Sequence, residues 1–409
     1  MLNKIWSVFF ITAFSTAVYK LVYLGDQEVF QKIVKAMFEL SKSAFEISIG
    51  LTGVLALWLG IMNIGEKCGF IQLLTRGLMP LFKRLMPEVP ENHPALGSIV
   101  MNISANALGL DNAATPLGIK AMKELQSLNN NPETATNAQI LFLVINTSGV
   151  TLFPITIFTY RAQLGAVSPT DVFIPILIAT YMSTLVGLIA VAIYQKINLL
   201  DKIVLGYLGG FTLIVGGLLG YFSSLPQEKM LAQSEIISNA TLFTLVMVFI
   251  IGAWYKGIDA YDAFIEGAKE GFKTATIIIP YLVAMLVAIG VLRASGALDE
   301  IMSLIRMMVH YFMIDDRFIE ALPTALMKPF SGSGARAMMI DVMKVNGADS
   351  FAGRLASIVQ GSTETTFYVL AIYFGAVRIK YIRHTLVCGI IADFAGISAS
   401  IFVAYWFFG

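Results

Sequence analysis

The chain has 409 residues, 57% hydrophobic and 13% charged, which is about half the charge of an ordinary soluble domain. A formal net charge of +1 offers no basic surface to a nucleic acid, and Cys68 and Cys388 form neither a CxxC pair nor a disulfide framework. Three scattered histidines and the lack of a P-loop, hydrolase elbow or HExxH string exclude the common metal and nucleophile chemistries, so no enzyme activity and no cofactor are expected.

Apolar runs of about 18–25 residues recur along the chain, as in an all-α polytopic membrane protein whose first partner is the lipid bilayer. Full spans are predicted at 5–24, 46–65, 138–160, 170–195, 203–222, 239–256, 276–293, 353–377 and 384–408. The first follows Met1-Leu2-Asn3-Lys4 and is longer than most signal cores, so it reads as a retained span. Segments 28–44 and 259–274 are charged and amphipathic, with Phe30, Val34, Phe38, Phe264 and Phe272, and are expected at the interface. Segments 70–86 and 297–313 are similar but more apolar. Gly206, Gly209, Gly210, Gly216, Gly217 and Gly220 crowd the span 203–222 and predict close helix packing there.

Two regions, 94–125 and 319–345, fit neither spans nor loops. Each has a short apolar arm, a turn rich in Gly, Asn, Ser or Pro, and a second short helix, the pattern of a re-entrant hairpin. Aqueous loops with short helices are the alternative. Two spans also carry polar interruptions: Asn146-Thr147-Ser148 in 138–160, and Gln360-Gly361-Ser362-Thr363-Glu364-Thr365-Thr366 in 353–377. Hydrocarbon satisfies no hydroxyl, amide or carboxylate, so these blocks must face protein, a ligand or a water-filled cavity. Interhelical hydrogen bonding is the plain reading, and a solute site is the sharper one.

The two halves align in order. Lys42-Ser43-Ala44-Phe45 matches Lys269-Glu270-Gly271-Phe272, Cys68-Gly69 matches Ser295-Gly296, and Ile119 to Lys123 matches Ile340 to Lys344. Asn146 to Phe153 then falls on Gln360 to Phe367. Five predicted spans separate Lys42 from Lys269. That odd number makes the halves two inverted-topology repeats, 1–200 and 236–409, joined by a span and connection at 201–235. The distribution of Lys and Arg leans towards a cytoplasmic N-terminus.

At these strings the chain resembles a known family. The first half is similar to spore maturation protein A through Asn112-Ala113-Ala114-Thr115-Pro116-Leu117-Gly118-Ile119-Lys120-Ala121-Met122 and Asn146-Thr147-Ser148. The second resembles spore maturation protein B through Arg293-Ala294-Ser295-Gly296-Ala297-Leu298-Asp299, Ser331-Gly332-Ser333-Gly334-Ala335-Arg336 and the run from Gln360 to Tyr368. Both belong to the nucleoside recognition, or Gate, superfamily, which also includes parts of concentrative nucleoside transporters and of the ferrous iron transporter B. The resemblance implies a transporter-like protein of the bacterial cytoplasmic (inner) membrane and leaves its substrate undefined.

The candidate solute contacts are Asn102, Asn106, Asp111, Asn112, Thr115, Asn146, Thr147 and Ser148 from the first half. From the second they are Ser331, Ser333, Arg336, Gln360, Ser362, Thr363, Glu364 and Thr365. Asp111 has helix capping as its plain role. Glu364 and Asp393 are candidates for ion or proton coupling, because an intramembrane carboxylate is costly unless paired, solvated or protonated. Arg336 is the expected partner of Glu364 if that acid is structural. The leading function is transport of a small polar solute or ion by alternating access. The alternative is a non-transporting membrane factor for spore or envelope maturation. Self-association is left open.

Overall fold

The computed structural model describes residues 2–109, 111–149, 151–313 and 315–409, and within them the side chains of all but Leu2, Asp111, Asn112, Ala113 and Glu228. The described residues form helices and no strand. The first half comprises α1 (Leu2–Tyr23), α2 (Val29–Lys67), α3 (Phe70–Leu85), α4 (Pro94–Ala107), α5 (Asp111–Gln126), α6 (Asn137–Ser148), α7 (Ile155–Gln163) and α8 (Phe173–Gln195). Then come α9 (Lys202–Ser223), α10 (Gln227–Tyr255), α11 (Ala260–Ala294) and α12 (Ala297–Tyr311). A 3-10 turn, Arg317–Ala321, leads into α13 (Leu322–Met327), α14 (Gly332–Asn346), α15 (Phe351–Ser362), α16 (Thr366–Ala376) and α17 (Thr385–Phe408). Seven of these helices are long and apolar enough to cross a membrane. Large side chains such as Leu213, Phe243 and Phe402 point outward from them, as a lipid-facing surface requires. The chain is a multi-pass membrane protein.

Three expectations change. Segment 28–44 is no separate interfacial helix, because α2 runs unbroken for 39 residues, about 58 Å at 1.5 Å per residue. No proline interrupts it, and Lys35–Glu39 and Lys42–Glu46 pair across one turn each. Segment 259–274 likewise continues into α11, 35 residues long. Each long helix stops at a left-handed glycine, Gly69 at φ 74° and Gly296 at φ 82°. The predicted spans 138–160 and 353–377 are not continuous helices either: each breaks in its middle, into α6 and α7 and into α15 and α16. Finally, the α9 glycines are not packing sites within the chain. A side chain added at any of the six would meet no atom within 4 Å.

The closest packing is between α2 and α11. Asn63 Nδ2 donates to Ala263 O at 2.7 Å, Lys67 pairs with Glu266, Gly60 lies against Phe264, and Leu40 lies against Gly290. The register runs in opposite directions along the two helices, so they are antiparallel. The same holds for α8 and α17, where Gln195 meets His384 at 3.2 Å, Ser183 Oγ donates to Ala392 O at 2.9 Å, and Gly396 lies against Ser183. Each pair joins a helix of the first half to its sequence counterpart in the second. The outer helices cross over as well: α1 lies on α11, with Trp6 Nε1 donating to Ala284 O at 3.1 Å, and α10 lies on α2, with Phe249 against Gly65.

Gly271 sets how closely α2 and α11 approach. A Cβ there would stand 2.5–2.8 Å from backbone atoms of Leu55 and Ala56, which cannot rotate away. Gly271→Ala should therefore cost about 1–3 kcal/mol through overpacking. Gly53→Ala, with open space around it, should be neutral or stabilising by up to about 1 kcal/mol. Thermal unfolding of both variants in detergent checks this, and equal melting temperatures would contradict it.

Candidate functional site

The site begins with the two helix breaks. α6 starts from a capping box, Thr136 with Gln139, and stops at Ser148, where Gly149 and Pro154 bar regular helix. α15 starts at Ser350, whose Oγ accepts from Gly353 N at 3.0 Å. It stops before Thr363, which is extended at φ −144°, ψ 169°. No proline or glycine lies in 363–365. The β-branched threonines there favour extended backbone, and outside partners take up the freed groups. Glu364 N donates to Thr147 O at 2.7 Å, so one break bonds directly to the other. Leu152 N donates to Ala107 O at 2.8 Å, and Phe367 N to Pro329 O at 3.0 Å, which ties each break to the hairpin of its own half. Thr180 Oγ1 donates to Gly149 O at 2.5 Å, and Thr184 Oγ1 to Ser148 O at 3.1 Å.

The helix–turn–helix pairs α4–α5 and α13–α14 bring their tips to these breaks. Asn106, at the end of α4, donates Nδ2 to Asn146 Oδ1 at 2.9 Å. Ser331 caps α14 by accepting from Gly334 N at 3.0 Å, and its Oγ lies 3.3 Å from Ser333 Oγ. Gly332 admits Thr365, whose Oγ1 would stand 2.8 Å from a Cβ at that position. Between tips and breaks lies a cavity of about 830 Å³. Asn106, Thr115 and Asn146 line it from the first half, and Ser331, Ser333, Arg336, Glu364 and Thr365 from the second. Its apolar wall is aromatic: Phe330 and Phe367 stack at 5.1 Å and 6°, beside Tyr281, Tyr368 and Tyr373.

The other sequence candidates stand behind this lining. Asn102 is fully buried and donates Nδ2 to Ala114 O at 2.7 Å and to Tyr373 Oη at 3.4 Å. Thr147, Ser148 and Ser362 turn their hydroxyls back to carbonyls of their own helices, at 3.0, 3.2 and 2.9 Å. Gln360, Thr363 and Asp393 are buried between the second break and α17, where Asp393 Oδ2 accepts from Thr366 Oγ1 at 2.7 Å. The side chains of Asp111 and Asn112 lie outside the described residues, as does Val150, the sequence counterpart of Glu364. Glu364 is exposed to the cavity and makes no salt bridge among the described residues, and Arg336 lines the same cavity. The Arg336 guanidinium also stands over the Tyr160 ring, 5.7 Å from its centroid.

Lys328 is the main omission of sequence reasoning. It is buried at the end of α13 and donates Nζ to Gln360 O at 2.7 Å. A lysine within an otherwise apolar hairpin arm was the available signal. Two sets of contacts that close the ends of the molecule were also not legible. At one end, Arg161, wholly buried, donates to Asp171 Oδ1 at 2.8 Å, Asp349 Oδ1 at 3.1 Å and Ala348 O at 2.7 Å. Arg354 Nε completes the set on Asp171 Oδ2 at 2.7 Å. Arg161 falls just beyond the predicted span 138–160, where nothing in the string marks it out. At the other end, Lys380 N and Tyr381 N donate to Glu133 O at 2.9 Å each, and Lys380 Nζ pairs with Glu133 Oε1 at 2.5 Å. The first set joins α7 and the loop after it to α15 and the loop before it, and the second joins the loop after α5 to the loop after α16.

Residues 48–166 and 275–380 match the family model described as nucleoside recognition, named Gate. The chain belongs to the Gate family. The two matched segments contain both hairpins and both breaks, while α8, α9 and α10 fall between them and α17, with Asp393, lies beyond. Two Bacillus subtilis proteins are similar. Spore maturation protein A is 40% identical over 183 residues, 45% of this chain and 90% of that protein. Spore maturation protein B is 46% identical over 173 residues, 42% of this chain and 96% of that protein. The resemblance read from the motifs is thus borne out, with two relatives that each account for less than half of this Gate-family chain.

The two end contacts differ in burial, which separates their energetics. Arg161→Ala would leave Asp171 and Asp349 without their buried partner and should cost about 3–5 kcal/mol. Lys380→Ala removes an exposed pair and should cost no more than about 1 kcal/mol. Thermal unfolding in lipid nanodiscs distinguishes them. Equal losses would mean that the Arg161 set is not a structural keystone.

Proposed function

We propose that this chain is a non-enzymatic transporter of the bacterial cytoplasmic membrane, moving a small polar solute or ion by alternating access between two inverted repeats, 1–200 and 236–409, across the linker 201–235. The observation that carries this reading is the cavity between two hairpin tips and two broken helices, one of each from each half. Unwound helices at the meeting of inverted repeats are where membrane transporters bind their cargo. The antiparallel packing of α2 on its counterpart α11, and of α8 on α17, supports inversion, because an inverted pair must meet its own copy head to tail. The hairpins, read as re-entrant, bring polar tips to membrane depth without adding a crossing.

In this reading Asn106, Thr115, Asn146, Ser331, Ser333, Arg336, Glu364 and Thr365 contact the solute. Asn102, Thr147, Ser148, Gln360, Ser362 and Thr363 hold the breaks in shape, and Asp111 and Asn112 belong to the first tip. A nucleoside suits the lining: aromatic faces for a base, and amides, hydroxyls and a carboxylate for ribose hydroxyls. The size also lies within the usual range for small-molecule sites, about 300–1,000 Å³. A second reading, a non-transporting factor for spore or envelope maturation, draws on the names of the two relatives.

Purified protein in liposomes, challenged with radiolabelled nucleosides, amino acids and inorganic ions, tests transport. Flux of at least one solute is expected, and Glu364→Gln should abolish it while leaving the yield of folded protein unchanged. A folded wild-type protein with no flux across the panel would favour the second reading. Cysteines placed singly at Lys42 and Lys269 should react with impermeant reagent from opposite sides of the membrane. Labelling of both from one side would defeat inversion.

A further inference from the structure

A second cavity lies away from the solute site. It holds about 470 Å³ and sits where the loop after α5 meets the loop after α16. The start of α6 forms part of its wall, so it stands at one end of that helix and the solute cavity at the other. Asn137 and Asn146, one in each lining, are nine residues apart, about 14 Å along α6. The lining comes from the first half except for Arg383. The size falls within the usual range for small-molecule sites.

Two opposite charges share this lining without pairing. The Glu88 carboxylate accepts from Ala138 N, and Arg383 Nη1 donates to Ala135 O at 3.0 Å. Both side chains are exposed, and neither makes a salt bridge among the described residues. Arg383 is held there on left-handed backbone, φ 50°, which is unfavourable for a residue with a Cβ. Asn137 Oδ1, in the same lining, is buried without a hydrogen-bond partner, and an unmet buried acceptor is costly. Val89 and Leu125, both buried, and Leu128 add an apolar wall.

Such a set selects its ligand by charge. A phosphate would meet Arg383 but be opposed by Glu88, and a metal cation would meet Glu88 but be opposed by Arg383. A zwitterion satisfies both. A primary ammonium also has N–H groups to give Asn137 Oδ1, which a quaternary ammonium lacks, and an apolar side chain suits Val89, Leu125 and Leu128. We propose that this cavity is a binding site for an α-amino acid with an apolar side chain, its carboxylate on Arg383 and its ammonium on Glu88 and Asn137. Arg383 belongs to the second half and Glu88 and Asn137 to the first, so the bound amino acid ties the halves together at this end. Under alternating access the two halves part here, and the ligand therefore holds transport back. That consequence rests on the transport reading, but the site is tested by binding alone, and its outcome does not depend on solute flux.

Thermal unfolding of the full chain in nanodiscs is followed as L-leucine is added. The wild type should gain stability and saturate. Leucinamide, which lacks the carboxylate, and isocaproate, which lacks the ammonium, should give no saturable gain at the same concentrations. Glu88→Gln keeps an oxygen for Ala138 N, and Arg383→Asn brings a residue that tolerates left-handed backbone. Each should raise the half-saturating leucine concentration by about ten-fold or more. If Arg383→Asn does not fold, Arg383→Lys takes its place: it keeps the charge, loses the planar fork and should still raise that concentration. No saturable gain with leucine, an equal gain with either analogue, or a leucine response unchanged in the Glu88 and Arg383 variants would each overturn the proposal. A response lost with Glu364→Gln but kept in those variants would place leucine in the solute cavity and overturn it too.

Discussion

A helix that breaks inside hydrocarbon leaves peptide groups that lipid cannot satisfy. This chain breaks two helices and completes each from outside its own segment. Glu364 N on Thr147 O is the direct link between them, and Leu152 N on Ala107 O and Phe367 N on Pro329 O hold each break against a hairpin. The α8 hydroxyls of Thr180 and Thr184 take two further carbonyls. Neither break could persist alone. The polar cavity lies beside this bond, with Glu364 in its lining.

Around this centre two helix pairs join the halves, and the side chains on the two sides differ. α2 lies on α11 and α8 on α17, each antiparallel to its counterpart, and α2 and α11 each end at a left-handed glycine. The side chains differ at Lys328, Gln360 and Asp393.

Much of this frame was legible in the sequence. Periodicity and apolar length gave the long helices, because an apolar run with no interruption has one low-energy form in lipid. The polar blocks at Asn146 and Gln360 gave the breaks, and the Gly- and Ser-rich turns gave the tips. What sequence could not give was direction and reach. Nothing in the string separates Asn106, which faces the cavity, from Asn102, four residues earlier and buried on Ala114 O and Tyr373 Oη. The charged start of α2 looked interfacial because composition reports polarity, whereas helix continuity depends on the absence of a stop. The glycines of α9 carried a packing signal that no neighbour in the chain answers. Arg161 could not be told from a loop cation until Asp349 was placed beside it.

The buried guanidinium of Arg161 has a consequence for how the protein is made. Asp171 follows it by 10 residues, but Asp349 lies 188 residues further on. At synthesis rates of about 5–20 residues per second, the second carboxylate arrives roughly 10–40 s later. During that interval the nascent first half carries a cation whose final shelter has not been translated. Its loop must stay in contact with water until the later segment is inserted. The ribosome therefore delivers a first half that is threaded but not sealed, and the closing step of assembly belongs to the second.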